Sequence, residues 1–435
     1  MELYNLVSFF GIFGILAFAW ACSNNRKVVN WRVVGYGLGL QMIFALFIFT
    51  VPGGTNLFQF LNDAVVKLLG AASSGTEFLF GRLALAPGTS NAQGEPSLGF
   101  FLAFQALPTI IFFAALVQVL YYFRIMPVII KGFAYVFTKF MRVSGAEALC
   151  VSSNVFVGIE SSLAIKPHIE KMTKSELFTI LTSGMATIAS SVLALYVFIL
   201  HKEFPEIAGH LISASILSAP AALIISKLMY PELGKPATLG EQIEPHYEKE
   251  SNVIESVING ANSGMKLVMG IVALLLAFLG IVALLDLIIS VPGDWINGLL
   301  GMNIDFSLTG ILSYVFYPFS LLIGVPPSDA LAIAKIIGER VIVTEVQSYF
   351  DLKTLIASGG IHEPRSIIIC TYALCGFAHF ASLAIFVGGI AAIAPSRTAD
   401  LASLGLKALV AATLACLLTA AVAGTFFTNT SILLQ

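Results

Sequence analysis

Charge is what this sequence lacks. Only 11% of its 435 residues are Asp, Glu, Lys or Arg, against about 25% in soluble globular chains. With 57% of residues hydrophobic and a mean hydropathy of +0.91, a soluble fold is excluded and an all-α polytopic membrane protein is implied. The formal net charge of −2 offers no basic surface, which argues against nucleic acid as a partner. Cysteine is scarce as well. Cys22, Cys150, Cys370, Cys375 and Cys416 all fall in apolar runs without metal-ligand spacing, so packing is their expected role. Catalytic signatures are missing: there is no Gly-x-Ser-x-Gly elbow, no His-Glu-x-x-His and no phosphate loop, and neither an enzyme nor a bound cofactor is expected. No signal peptide is evident, because only Glu2 precedes the first apolar run and the basic cluster follows it.

Long apolar runs are what the sequence has instead. Residues 5–22, 33–51, 100–123, 177–201, 207–226, 265–290, 366–394 and 408–431 give roughly eight transmembrane helices. Arg26, Lys27 and Arg32 follow the first span, and the positive-inside rule then places both termini on the extracytoplasmic side. Residues 52–99, with Gly, Pro and mixed charge, are expected as an extracytoplasmic connection. Residues 127–141, flanked by Arg124 and Arg142 and carrying Lys131 and Lys139, are expected as an amphipathic interfacial helix on the cytoplasmic face. Residues 229–262 are hydrophilic and mixed in sign, a cytoplasmic linker. Asp294 and Trp295 suggest an outer interfacial segment.

The stretch 146–168 breaks the pattern. Only the uncharged residues 148–159 separate Glu147 from Glu160, too few for a helical span. Ser152, Ser153, Asn154 and Gly158 interrupt it. Such a segment fits a re-entrant hairpin turning near Gly158, and a carboxylate at its tip marks a ligand or ion site. A second candidate, 306–328, is broken by Pro318, Gly324, Pro326 and Pro327 and runs into Asp329. Ser183-Gly-Met-Ala-Thr-Ile-Ala-Ser190 aligns without gaps on Cys375-Gly-Phe-Ala-His-Phe-Ala-Ser382. Each copy lies in the span after a hairpin, and the hairpins enter from opposite sides, which is the pattern of an inverted-repeat transporter.

Glu160 and Asp329 at the hairpins, with His379 and Ser382 on the seventh span, converge if the repeats face each other. Carboxylates accept from solute hydroxyls, an imidazole donates or accepts, and Phe377 can stack on a flat ring. Asn154, Thr187 and the carbonyls freed at a hairpin break suit a small hard cation.

At these residues the chain resembles the concentrative nucleoside transporter family in its short bacterial form. The motifs carrying the resemblance are Asn154-Val-Phe-Val-Gly158, Lys171-Met-Thr-Lys-Ser-Glu-Leu177, Ser218-Ala-Pro-Ala221, Gly324-Val-Pro326 and Ala373-Leu-Cys-Gly-Phe-Ala378. The resemblance implies a homotrimer of elevator type. Its scaffold would be spans 1–3 (1–126) and span 6 with the outer segment (263–305). The interfacial helix (127–145), the first repeat (146–228), the linker (229–262) and the second repeat (306–435) would complete each protomer. It implies a sodium site at Asn154, Val157, Thr187 and Ile188, where family members commonly have Ser in place of Thr187. It implies a solute site at Ile159, Glu160 and Ser161, Asp329, and Phe377, His379 and Ser382. The solute motif departs from the family's: Gly158-Ile159-Glu160 replaces Gly-Gln-Thr-Glu, Asp329 stands for Glu, and His379 for Asn. The expected activity is therefore sodium-coupled symport, across the cell (inner) membrane, of nucleosides or a nucleoside-like polar solute. Proton coupling through Glu160, Asp329 or His379 is the alternative. An intramembrane hydrolase using His379 and Ser382 is a third reading.

Overall fold

The computed structural model describes residues 3–246, 250–301 and 304–428. Its regular elements among the described residues are helices, and seven of them are long and apolar enough to cross a membrane. The seventh expected span, 366–394, is broken into two shorter helices. Residues 429–431, expected to end the last span, lie outside the described residues.

In chain order the main helices are α1 Leu3–Ala21, α2 Trp31–Phe49, α3 Pro52–Phe80, α4 Leu107–Tyr122 and α5 Ile125–Val136. Then come α6 Gly145–Asn154, a tight 3-10 segment Ile159–Lys171, α7 Lys174–Ala186, α8 Ser190–Leu200 and α9 Ile207–Met229. The remainder is α10 Val253–Leu300, α11 Leu308–Leu322, α12 Pro327–Ile342, α13 Glu345–Ala357, α14 Pro364–Leu374, α15 Phe380–Ile393 and α16 Thr398–Phe426.

Three expectations need correction. Residues 52–80 of the expected connection 52–99 form a helix. Pro52 starts the helix at a position where its missing N–H is harmless. Phe58, Asn62, Leu69, Ala72 and Thr76 are buried at helical spacing, and Asn62 Oδ1 accepts from Gly209 N at 3.2 Å, tying α3 to the start of α9. The outer segment around Asp294 and Trp295 is no separate element, because α10 runs unbroken for 48 residues. At about 1.5 Å per residue that is about 72 Å, more than twice a hydrocarbon core. Gly260 and Gly264 let α10 approach α4 closely, since a Cβ at these positions would lie 2.6 Å from Ala115 Cα and 2.7 Å from Ile111 Cα. This is the small-residue packing of membrane helices.

The third correction concerns the second hairpin. α11 and α12 pack together through the turn at Gly324, and α12 then reverses at Val343 and Thr344 into α13. Ser348 Oγ donates to Ile336 O at 3.1 Å across that reversal. The acid beside it is Glu345, not Asp329.

α16 is the hub, packed against α1, α7, α9 and α14, with every residue from Ala411 to Thr425 buried. The two broken spans meet beside it. α7 stops at Ala186, Thr187 is extended (φ −123°, ψ 163°), and α8 begins at Ser190. α14 stops at Leu374, His379 is extended (φ −144°, ψ 164°), and α15 begins at Phe380. The gapless alignment pairs Thr187 with His379, and the two share a backbone conformation. The shared glycines have reciprocal work. A Cβ on Gly184 would lie 2.4 Å from the Phe386 ring of α15, and one on Gly376 would lie 3.0 Å from the Ala186 carbonyl. Each repeat is therefore Gly where the other repeat's broken span crosses it.

Candidate solute site

α6 begins with a full capping box: the Ser144 hydroxyl accepts from Glu147 N, and the Glu147 carboxylate accepts from Ser144 N at 3.2 Å. The helix ends at Asn154, and the chain turns back through Gly158. Ser161 Oγ donates to Asn154 Oδ1 at 2.7 Å, which locks the two arms of this hairpin together. The turn opens on a cavity of about 430 Å³. One wall is α4 with α10, through Gln118, Tyr121, Gly260 and Ser263; the other is Val157, Gly158, Glu160 and Ser161, Thr344 and Glu345, and Phe377, His379 and Ser382. Glu160 is exposed to the cavity. The side chain of Ile159, an expected contact, lies outside what the structure describes.

Asp329 is not at the cavity. It is fully buried, accepting from His362 N (3.1 Å), Glu363 N (3.1 Å) and Ser366 Oγ (2.6 Å), with His362 Nδ1 at 2.7 Å. Two of these donors are the backbone amides just before α14 and the third is a side chain in its first turn, so Asp329 anchors the segment that starts this helix. Glu345 holds the place expected of it. Its Oε1 accepts from Tyr196 OH at 2.6 Å and its Oε2 lies 2.7 Å from His379 Nε2. Tyr196 is itself stacked on Tyr349 with ring centroids 4.4 Å apart. Sequence reading missed Glu345 as a site residue, although the β-branched residues Val341 to Thr344 signal a helix break directly before it. The second acid on the cavity wall is thus a glutamate and not Asp329.

His379 caps α15: its Nδ1 accepts from Ser382 N at 3.1 Å. The Ser382 hydroxyl donates inside the same turn, to His379 O at 2.8 Å and to Phe377 O. No Ser–His nucleophile pair exists here, because His379 Nδ1 faces the Ser382 amide and not its hydroxyl. The hydrolase reading fails on this geometry.

Of the four residues expected to hold sodium, Asn154 and Thr187 meet through Ser183. Asn154 Nδ2 donates to Ser183 Oγ at 3.0 Å, and Thr187 Oγ1 donates to Ser183 O at 2.9 Å. Asn154, Thr187 and Ile188 are buried, and Val157 reaches the cavity. The linker also arrives here unexpectedly. His246 N donates to Ala164 O at 2.8 Å, and Glu250 Oε1 accepts from Gln118 Nε2 at 2.9 Å.

A polytopic helical carrier, with a largely apolar cavity that holds two carboxylates between broken helices, is the class these features define. Three family models cover the chain: Na+ dependent nucleoside transporter N-terminus over residues 10–83, nucleoside recognition gate over 103–203, and Na+ dependent nucleoside transporter C-terminus over 210–424. An uncharacterized transporter of Haemophilus influenzae is 38% identical over 97% of both chains. The uncharacterized transporter YutK of Bacillus subtilis is 37% identical over 96% of this chain and 98% of its own. Solute carrier family 28 member 3 of Mus musculus is 37% identical over 97% of this chain, which spans 58% of that relative's length. The solved structure of CNTnw in an inward-facing, substrate-bound state superposes with a TM-score of 0.84 at 33% identity, covering 98% of this chain and all of the other. The chain belongs to the concentrative nucleoside transporter family, whose members are transporters and not enzymes.

Proposed function

We propose that the protein carries nucleosides, or a nucleoside-like polar solute, into the cell by cation-coupled symport. The observation that carries this reading is the cavity itself, with Glu160 and Glu345 from the two hairpins and Phe377 from the broken seventh span on one wall. Carboxylates accept from ribose-type hydroxyls and an aromatic face packs a base. Sodium is the coupling ion, held near Asn154, Val157, Thr187 and Ile188, where oxygen donors gather at two helix breaks. The hairpins and broken spans move against α4 and α10 as an elevator. The exposed apolar length of α10, including Leu276, Leu284, Leu287 and Ile288, supports packing against two further copies in a homotrimer. The protein resides in the cell (inner) membrane with both termini outside. The test is uptake of radiolabelled uridine and adenosine into proteoliposomes under an imposed sodium or proton gradient. Accumulation driven by sodium supports this reading; accumulation driven by protons alone replaces the ion; no accumulation of either nucleoside refutes nucleosides as the solute.

A further inference from the structure

His379 is buried, with 4% of its surface exposed, and both of its ring nitrogens face partners within the chain. Nδ1 accepts from Ser382 N at 3.1 Å, so it carries no proton. The proton is then on Nε2, 2.7 Å from Glu345 Oε2. The other carboxylate oxygen takes the Tyr196 hydroxyl. A neutral imidazole has one donor and one acceptor; here the acceptor takes the Ser382 amide and the donor nitrogen stands at ion-pair distance from Glu345. Glu345 differs, because two donors leave a carboxylate with lone pairs to spare, and it lies on the cavity wall beside Phe377.

We propose that His379 is a positioning residue: it fixes Glu345 toward the solute and makes no polar contact with the solute itself. The imidazole reaches back to the helix start through Nδ1 and forward to the second hairpin through Nε2. It thereby ties the hairpin tip to the broken seventh span, while Tyr196 ties it to the broken fourth. This deepens the nucleoside reading above and rests on it.

The experiment is a double-mutant cycle on the purified full chain, with uridine as the probe and binding measured by calorimetry. Glu345→Gln and His379→Phe are each expected to weaken uridine binding about tenfold, the scale of one charged hydrogen bond. The double variant should bind no more weakly than the weaker single one, since His379 acts only through Glu345. Losses that multiply overturn the proposal, because they mean an independent contact from His379. An unchanged affinity in Glu345→Gln overturns it too. A wild-type chain that binds no uridine refutes the nucleoside reading instead. A second measurement needs no ligand: the nitrogen-15 shifts of the wild-type His379 ring at neutral pH, its signal identified by its loss in His379→Phe. A proton on Nε2 alone is expected, and one on Nδ1 refutes the positioning geometry.

Discussion

Substituting Gly184 by alanine sets two effects of opposite sign against each other. Gly184 lies inside α7, where alanine gains about 1 kcal/mol of helix propensity. Its Cβ, however, would lie 2.4, 2.7 and 2.9 Å from Cε1, Cδ1 and Cζ of Phe386. Carbon atoms at rest are about 3.5 Å apart or more, so the ring must move by roughly 1 Å within a filled core. Overpacking of that kind costs about 1–3 kcal/mol. The clash wins, and Gly184→Ala should be destabilised by up to about 2 kcal/mol. Gly70 in α3 supplies the control, since a Cβ there meets nothing within 4 Å. Gly70→Ala should gain about 0.5–1 kcal/mol. Thermal unfolding of both variants in one detergent separates the cases. Adding Phe386→Leu to Gly184→Ala should recover part of the loss by removing the obstructing ring. Because Phe386 also lines the cavity, uptake should fall in Gly184→Ala and remain normal in Gly70→Ala. A melting temperature raised as much by Gly184→Ala as by Gly70→Ala would refute the claim that the repeats cross at this glycine.

Further outcomes follow from the same geometry. Asp329→Asn should lower stability by about 1–2 kcal/mol by weakening its buried hydrogen bonds to the start of α14 and leave uridine affinity unchanged in the folded fraction. Glu160→Gln should do the reverse, weakening uridine about tenfold at unchanged melting temperature; calorimetry and melting run on both proteins decide it. Gly324→Ala should abolish the recovery of folded protein from membranes, because φ is +93° and a Cβ would lie 2.0 Å from Ser8 Oγ. Adding Ser8→Gly should restore part of that yield, and a full yield from Gly324→Ala alone contradicts the close approach. Asn154→Ala should raise the sodium concentration for half-maximal uptake about tenfold, the loss of one ion–dipole contact, and an unaltered sodium curve removes Asn154 from the ion site.

The first hairpin was legible because its chemistry is local. Gly158 and Glu160 are near neighbours in the chain, and the Ser144 to Glu147 capping box starts the helix that leads into the same turn. The second hairpin was misplaced because its strongest local signal, the run of prolines and glycine at 318–327, marks a different turn. Arg365 explains why that turn matters structurally. Its guanidinium donates to Gly324 O, Asn5 Oδ1, Tyr4 O, Ser8 Oγ and Gly424 O at 2.6–2.9 Å, holding α1, the turn and α16 together. Nothing local distinguishes that glycine from one at a binding site.

The sequence by itself determined that this is a helical membrane protein with a doubled, broken-helix architecture. Apolar runs of about twenty residues can satisfy their backbone in lipid only as helices, and the Gly and Ala spacing shared by 183–190 and 375–382 lets each copy pass the other. Tertiary structure alone decided which acids face the cavity. Asp329 and Glu345 are both acids near the start of a helix, and sequence spacing treats them alike. One is sealed against the amides just before α14, 33 residues further along. The other meets Tyr196, 149 residues back, and His379 across the repeat interface. A carboxylate's role is set by the donors packed around it, and those donors come from distant segments that only the folded chain brings together.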